Sequence, residues 1–469
     1  MTKIKFGTDG WRAIIAQEFT AENVARVAHA TALWIIRESK NKVVVVGHDC
    51  RFGGELFAET TAKVIALNGI KVFLAKNFVS TPMISFAALR LGTGAGIIIT
   101  ASHNPPAYNG YKLKGGYGGP MLEDDIKEVE KLIPEKNPFT PGDISLESLK
   151  EKGLLEYIDL ETMYCEHIVN NFDVEAIHNS DMKFAYDAMY GSGQNVIRRL
   201  FPSFSLMHCE YNPTFNNIPP EPIHRNLYEF SEMIKTAGSI DCGLVTDGDA
   251  DRIGLYDGEG NFVDSHHILL LLIHYLHKYK GMTGKVCTGF SSSVKIAALC
   301  NHYGLELEIV KIGFKHICGI MLNDDVLVGG EESGGIAVKN HIPERDGIWN
   351  GMLIFEAMVK TGKTLRQLID EIYEITGSFA FERADLSIPE TLKQQIIADC
   401  KANKYSSFGS YKVERVETLD GFKYYFNESE WLMIRPSGTE PVLRTYAESH
   451  TKEEALEILR VARVTLGIG

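Results

Sequence analysis

The chain has 469 residues, too many for one core of ordinary size; at roughly 100–200 residues per domain, about three or four domains are expected. Hydrophobic residues make up 45% and charged residues 23%, the balance of a soluble globular protein. The net charge of −13 argues against a general nucleic-acid or membrane partner, which would need a basic surface, and any anionic ligand must find local cations.

The opening segment Met1 to Phe6 has no apolar core of signal-peptide length, and the longest apolar stretches, such as Ile268 to Ile273, fall far short of a membrane span. The eight cysteines (Cys50, Cys165, Cys209, Cys242, Cys287, Cys300, Cys318 and Cys400) are scattered, without C-x-x-C spacing. They read as reduced thiols, and a cytoplasmic location is expected.

Along the chain one unit recurs: an apolar β-branched run, a Gly-rich loop, then a helical pattern. Val43 to Val46 leads into Gly47–Gly54, and Gly96 to Thr100 into Ala101-Ser102-His103-Asn104-Pro105. Phe184 to Asp187 leads into Gly191-Ser192-Gly193 and a helical Asn195 to Leu200; Gly243 to Val245 leads into Asp247-Gly248-Asp249. Val286 to Thr288 leads into Ser291-Ser292-Ser293 and a helical Val294 to Leu299; Val326 to Val328 leads into Gly329 to Gly335. Such alternation predicts α/β architecture with largely parallel sheets, in three similar domains. Ligand loops should then gather at the carboxyl ends of the strands. The last ninety or so residues read as α+β: strands Tyr424 to Phe426, Trp431 to Ile434 and Leu443 to Ala447, then a helix Lys452 to Val464. The expected domains are 1–155, 156–262, 263–378 and 379–469.

Four loops carry chemistry. In Ser102-His103-Asn104-Pro105 a serine projects from a tight turn at a strand end; taken alone, the string is as readily a hydroxyl cap as a nucleophile. His103 cannot be assumed to be its base, because neighbouring side chains usually point apart. Asp247-Gly248-Asp249-Ala250-Asp251-Arg252 places three carboxylates at alternate positions, able to converge on a hard cation such as Mg²⁺. A calcium EF-hand would need Glu at its twelfth position, where Gly258 stands. Gly330-Glu331-Glu332-Ser333-Gly334-Gly335 offers carboxylate and hydroxyl groups to sugar hydroxyls, or is simply a solvated turn. Arg435-Pro436-Ser437-Gly438-Thr439 suits a phosphate dianion, or is a hairpin loop.

Together, and in this order after Phe6-Gly7-Thr8-Asp9-Gly10-Trp11-Arg12, these loops resemble those of the α-D-phosphohexomutases, the family of phosphoglucomutase and phosphomannomutase. The resemblance runs the full length and includes Gly313-Phe314-Lys315. It implies three α/β domains with mixed sheets and a fourth α+β domain around a central cleft. It also implies Ser102 as the phosphoserine and Asp247, Asp249 and Asp251 as Mg²⁺ ligands, completed by a Ser102 phosphoryl oxygen. Arg12, His103, Lys112, Arg252 and Lys315 match polar residues around the transferred phosphoryl group, Lys112 being the nearest match to a general base. Glu331 and Ser333 match sugar-hydroxyl binders; Arg435, Ser437, Gly438 and Thr439 match the clamp on the other phosphate.

The implied reaction interconverts glucose 1-phosphate and glucose 6-phosphate through glucose 1,6-bisphosphate. Hexose phosphates would be its ligands, no nucleic acid or membrane its partner, and a monomer or homodimer its assembly. Mannose- and glucosamine-selective members often carry Met or Gln at the position of Glu332 and His at that of Gly335, so the sugar loop favours glucose. A mannose-specific or dual-specificity mutase is the alternative, ahead of a metal-dependent phosphatase or a non-catalytic sugar-phosphate sensor. A P-loop kinase is disfavoured, because no G-x-x-x-x-G-K-[ST] loop is present.

Overall fold

The structure, a computed structural model, describes residues 3–7, 9–436 and 442–468. Within them the chain forms four principal sheets. In the first, Val43–His48, Lys71–Ala75, Ala95–Ile99 and Leu155–Ile158 run parallel; Tyr108–Gly115 lies antiparallel beside Ala95–Ile99, and Trp11–Ile14 pairs antiparallel with it at the edge. Helices Ala21–Glu38, Gly54–Leu67 and Thr81–Arg90 cover it. Every residue of Ala95–Ile99 is buried, as expected for a strand covered on both faces, which is why its sequence is a continuous apolar run.

The second sheet centres on Phe184–Asp187 and Cys242–Thr246, with Ile253–Asp257 folding back antiparallel after the Asp247 loop. The third places Lys285–Gly289 between Leu307–Val310 and Val326–Gly330, all parallel, with Ile336–Val338 antiparallel at the edge. The sheets are therefore mixed. The fourth is wholly antiparallel, in the order Ala380–Ser387, Val442–Ser449, Trp431–Pro436, Phe422–Tyr425, Arg415–Glu417, with helices Glu390–Lys401 and Lys452–Thr465.

Two expected boundaries cut elements. Residue 155 begins a strand that pairs with Lys71–Ala75 and so belongs to the first sheet. The break at 262 splits Phe262–Val263, the edge strand of the second sheet. The break at 378 lies in the link between helix Leu365–Thr376 and strand Ala380–Ser387.

The first three units share one continuous apolar core, running from Val45 and Ile98 through Tyr164 and Leu244 to Val328 and Ile369. The fourth has its own core around Ile396, Phe408, Leu432 and Ile458. A separate aromatic patch of Phe290, Tyr425, Trp431, Met433 and Tyr446 joins it to the third. The molecule is thus a three-unit block with a fourth unit seated on it. No helix among the described residues is long and apolar enough to cross a membrane, and all eight cysteines are buried and unpaired.

Helix Ser265–His274 shows how the block is held. Asp264 caps it, accepting the backbone N–H groups of His266 and His267 at 2.9 and 3.1 Å. The run Ile268 to Ile273 is buried on every side. Its sequence lacks an amphipathic stripe because the helix has no solvent face. Leu270→Ala should cost about 2–5 kcal/mol in denaturant unfolding, the range for a buried leucine truncated in a core that cannot fully collapse.

Candidate active site

Ser102 stands at the end of the strand Ala95–Ile99, in a loop fixed from below. Thr100 Oγ1 donates to Asp49 Oδ2 at 2.5 Å and accepts from the Ser102 N–H at 2.9 Å. Arg51, fully buried, staples the loop through four carbonyls. Its Nη1 donates to Pro105 and Tyr108, both at 3.0 Å, and its Nη2 to Ser102 and Asn104, at 2.5 and 2.7 Å. These bonds hold Ser102 at a φ of 52°, a left-handed conformation that costs a non-glycine residue on the order of 1–3 kcal/mol.

The turn leaves Ser102 Oγ 2.7 Å from Asp247 Oδ2 and 3.1 Å from His103 Nδ1. The left-handed backbone thus brings together the two neighbouring side chains that an ordinary turn would separate. The approach of the metal loop also requires a glycine, since a Cβ at Gly248 would lie 2.6 Å from the Ser102 carbonyl oxygen.

Asp247, Asp249 and Asp251 are fully buried, and one oxygen of each lies within 4.8 Å of the others. Asp247 Oδ1 accepts the Arg252 N–H at 3.1 Å. Asp249 Oδ2 accepts from Thr81 Oγ1 and Lys112 Nζ, at 2.5 and 2.8 Å. Asp251 Oδ2 faces Lys112 Nζ at 3.2 Å and Arg345 Nη2 at 2.8 Å. The remaining oxygens, Asp249 Oδ1 and Asp251 Oδ1, are buried and accept no hydrogen bond. Two orphaned carboxylate oxygens beside a third carboxylate and a serine hydroxyl are costly unless a cation meets them. An all-oxygen donor set of this kind fits Mg²⁺. Burial, together with the charges of Asp249 and Asp251, pushes Asp247 well above the usual carboxylate range.

Cations surround this cluster. Lys112 bridges Asp249, Asp251 and Asp9, the last at 3.0 Å. Burial works to strip its proton, but the three carboxylates outweigh it and raise its pKa. In this arrangement Lys112 donates hydrogen bonds to Asp249 and Asp251. Burial and the charges of Arg252, Arg12 and Lys112 hold His103 well below its usual range, so its ring is neutral. Arg12 Nη1 donates to Asn104 Oδ1 at 2.6 Å, and Arg252 Nη2 approaches His103 Nε2 at 3.4 Å. Lys315 does not join the buried group; its ammonium pairs with Glu123 at 2.6 Å.

The sugar loop is bonded to the metal loop. Ile253 N–H donates to the Gly334 carbonyl at 3.1 Å, and Arg252 and Gly335 form a bridge. Glu331 Oε1 accepts the Gly313 N–H at 2.7 Å, which ties in the Gly313-Phe314-Lys315 segment. Burial and the neighbouring Glu332 push Glu331 up to about 7. Ser333 lies half-buried in the turn. A Cβ at Gly335 would lie 2.4 Å from Arg345 Cδ, so a larger residue there would have to displace the Arg345 side chain.

Arg435, on strand Trp431–Pro436, donates from Nε to Asp420 Oδ1 at 3.2 Å. Ser437, Gly438 and Thr439 lie outside the described residues. Arg444 stands opposite Arg435 in register and adds a second guanidinium to the same face of the sheet.

The sequence reading missed Asp9, Arg51, Arg345 and Arg444. Arg51 and Asp9 lay in Gly-rich segments already noticed, but their roles depend on partners distant in sequence. Arg345 had no signal beyond its place after the sugar loop.

Four family models match the chain in order: phosphoglucomutase/phosphomannomutase alpha/beta/alpha domain I over residues 3–138, domain II over 162–260, domain III over 264–375, and the C-terminal domain over 392–463. The phosphoglucomutase/phosphomannomutase of Thermococcus kodakarensis is 30% identical over 463 residues, 97% of each chain. A probable phosphoglucosamine mutase of Methanosphaera stadtmanae is 29% identical, also over 97% of each. The crystal structure of a putative phosphomannomutase from Thermus thermophilus superposes with a TM-score of 0.87 at 31% identity, covering 99% of both chains. The chain belongs to the α-D-phosphohexomutase family, isomerases that relocate a phosphoryl group on a hexose.

A cation and a proton compete for the Asp247 cluster. Because Asp247 is raised, its proton is released only as pH rises, so Mg²⁺ binding should tighten with increasing pH. Thermal stabilisation by added Mg²⁺ should be seen with the native chain and lost in Asp249→Asn; equal stabilisation of both would remove the cluster as the metal site.

Proposed function

We propose that this chain interconverts the 1- and 6-phosphates of a gluco-configured hexose through phospho-Ser102 and a hexose 1,6-bisphosphate. The observation that carries the reading is the placement of Ser102 Oγ, buried, 2.7 Å from Asp247 and beside two unpartnered carboxylate oxygens. A hydroxyl merely capping a turn has no need of such surroundings.

In the proposed cycle, the bond from Ser102 Oγ to phosphorus breaks as the sugar 6-hydroxyl oxygen bonds to phosphorus. The hydroxyl proton passes to a neighbouring base. The bisphosphate then reorients, its 1-phosphoryl group is taken by Ser102 Oγ, and hexose 6-phosphate leaves. His103 Nδ1 lies 3.1 Å from Oγ, and its neutral ring can share a hydrogen bond with the hydroxyl; the surrounding cations oppose its taking a full proton. Lys112, Arg12 and Arg252 supply positive charge around the transferring oxygens, the main requirement of phosphoryl transfer. Mg²⁺ held by Asp247, Asp249, Asp251 and a Ser102 phosphoryl oxygen would add further charge neutralisation there. Glu331 and Ser333 are proposed to hold sugar hydroxyls. Arg435, with Ser437, Gly438 and Thr439, is proposed to grip the non-reacting phosphate. Lys315 would need to leave Glu123 to take part.

The sugar is the finer question. The sugar loop favours glucose by resemblance. The names of relatives shift weight toward glucosamine, since several at 26–29% identity are called phosphoglucosamine mutases. Glucose and glucosamine share configuration and differ only at C2, so a grip on O3 and O4 through Glu331 and Ser333 serves both. A cytoplasmic setting is supported by eight unpaired, buried thiols.

Glucose, glucosamine and mannose 1-phosphates, assayed side by side with catalytic bisphosphate and Mg²⁺, should rank the two gluco sugars above mannose. Inorganic phosphate should not accumulate; release in step with substrate loss would instead mark a phosphatase. Ser102→Ala should keep the fold and lose turnover. Glu331 offers a pH test: as it ionises through about pH 7 it becomes a better acceptor, so KM should fall between pH 6 and 8. The substrate phosphate ionises nearby, at about 6, so the comparison is with Glu331→Gln, which should lose the dependence near pH 7 and keep the lower one.

A further inference from the structure

One face of the fourth sheet is unlike the rest of the interior. Strand Trp431–Pro436 presents Trp431, Met433 and Arg435 to it, and the register sets Trp431 opposite Glu448, Met433 opposite Tyr446, and Arg435 opposite Arg444. The aromatic end of this face packs on Phe290, Val294 and Ile312 of the third unit. Its other end carries Arg435 and Arg444. Side chains two positions apart on a strand share a face, so seat and clamp are parts of the same two strands.

A lysine lies buried in the seat. Lys423, on strand Phe422–Tyr425, is 3% exposed. Its Nζ donates to the carbonyl oxygens of Phe290 and Ser292 in the third unit, at 3.3 and 3.1 Å. It also lies 3.8 Å from the Trp431 ring centroid, and the buried carboxylate of Glu448 is nearby. Burial draws Lys423 down to about 8 and pushes Glu448 up to about 7. A buried ammonium is an expensive way to join two units that already meet through aromatic rings. What it adds is direction, because its donors must meet two particular carbonyls. A second directional tie involves the clamp strand itself: Asp420 accepts the Ile312 N–H on Oδ2 at 2.9 Å and holds Arg435 Nε on Oδ1.

We propose that Lys423 is a positioning residue that fixes the seating of the fourth unit on the third, and through strands Trp431–Pro436 and Val442–Ser449 sets where Arg435 and Arg444 stand in the cleft. It rests on the proposed role of Arg435 as a phosphate clamp. Lys423 touches no substrate; its effect is transmitted along the sheet.

Lys423→Met keeps the stem over Trp431 and removes the ammonium, whereas Lys423→Arg keeps a donor. Two readouts apply, each on the full chain. Small-angle scattering without substrate reads the seating: Lys423→Met should give a larger radius of gyration and Lys423→Arg a profile closer to native. Calorimetric binding of glucose 1-phosphate reads the clamp: Lys423→Met should weaken it by about tenfold, with partial recovery in Lys423→Arg. In turnover the loss should fall on KM more than on kcat. An unchanged scattering profile for Lys423→Met overturns the proposal whatever the binding shows. An expanded profile with native affinity overturns the link to the clamp. Arg435→Ala, measured alongside, separates the two readings: if it also binds natively, the clamp assignment is what has failed.

Discussion

The rest of the molecule depends on keeping three fully buried carboxylates, Asp247, Asp249 and Asp251, close to a largely buried fourth, Asp9. Such a group cannot persist without counter-charge, and Lys112 and Arg345 supply part of it directly. These residues come from three different units. Asp9 and Lys112 belong to the first sheet and its leading segment, the three ligands to the second unit, and Arg345 to the third. The continuous core beneath them is what keeps the charges in register. Removing one partner would leave a buried charge uncompensated, commonly several kcal/mol, so the electrostatics and the packing constrain each other. The orphaned oxygens of Asp249 and Asp251 mark where this balance is left for a cation to complete.

That constraint explains local features that look unfavourable alone. Ser102 takes a strained backbone because only there does its hydroxyl meet Asp247 while its carbonyl meets Arg51. Gly248 has no side chain because the two loops approach backbone to backbone. His103 lies near enough to cations to stay neutral. In the proposed reaction, a buried cluster whose charges are already in place would have little to reorganise at the moment of transfer.

Much of this was legible in the sequence, for a physical reason. Parallel strands buried on both faces appear as apolar runs, and the loops that follow them carry the chemistry, so the three α/β units and the serine and metal loops could be read directly. The fourth unit was less legible. Strand Ala380–Ser387 was missed because its exposed face carries Arg383 and Asp385 and its other face includes Glu382, which together disguise it as a charged linker. Domain limits at 155 and 262 fell inside edge strands, because polar composition marks an edge as readily as a linker. Arg51 and Arg345 were invisible for a different reason. A staple is defined by what it holds, and its partners lie 51 to 57 residues away for Arg51 and 336 for the Arg345–Asp9 pair. The fate of Lys112 was likewise hidden, since its proton affinity is set by carboxylates more than a hundred residues distant.

The account's central claim is that Ser102 lends one phosphoryl group and takes back another. Protein phosphorylated with an isotopically labelled phosphoryl group on Ser102, mixed with a stoichiometric amount of hexose 1-phosphate and quenched after one turnover, tests this directly by mass analysis of the Ser102 peptide and the sugar. The account predicts that the label leaves Ser102 and appears at the 6-position of the sugar, while unlabelled phosphoryl replaces it on the serine. Sugar converted to the 6-phosphate with the label still on Ser102 would contradict it.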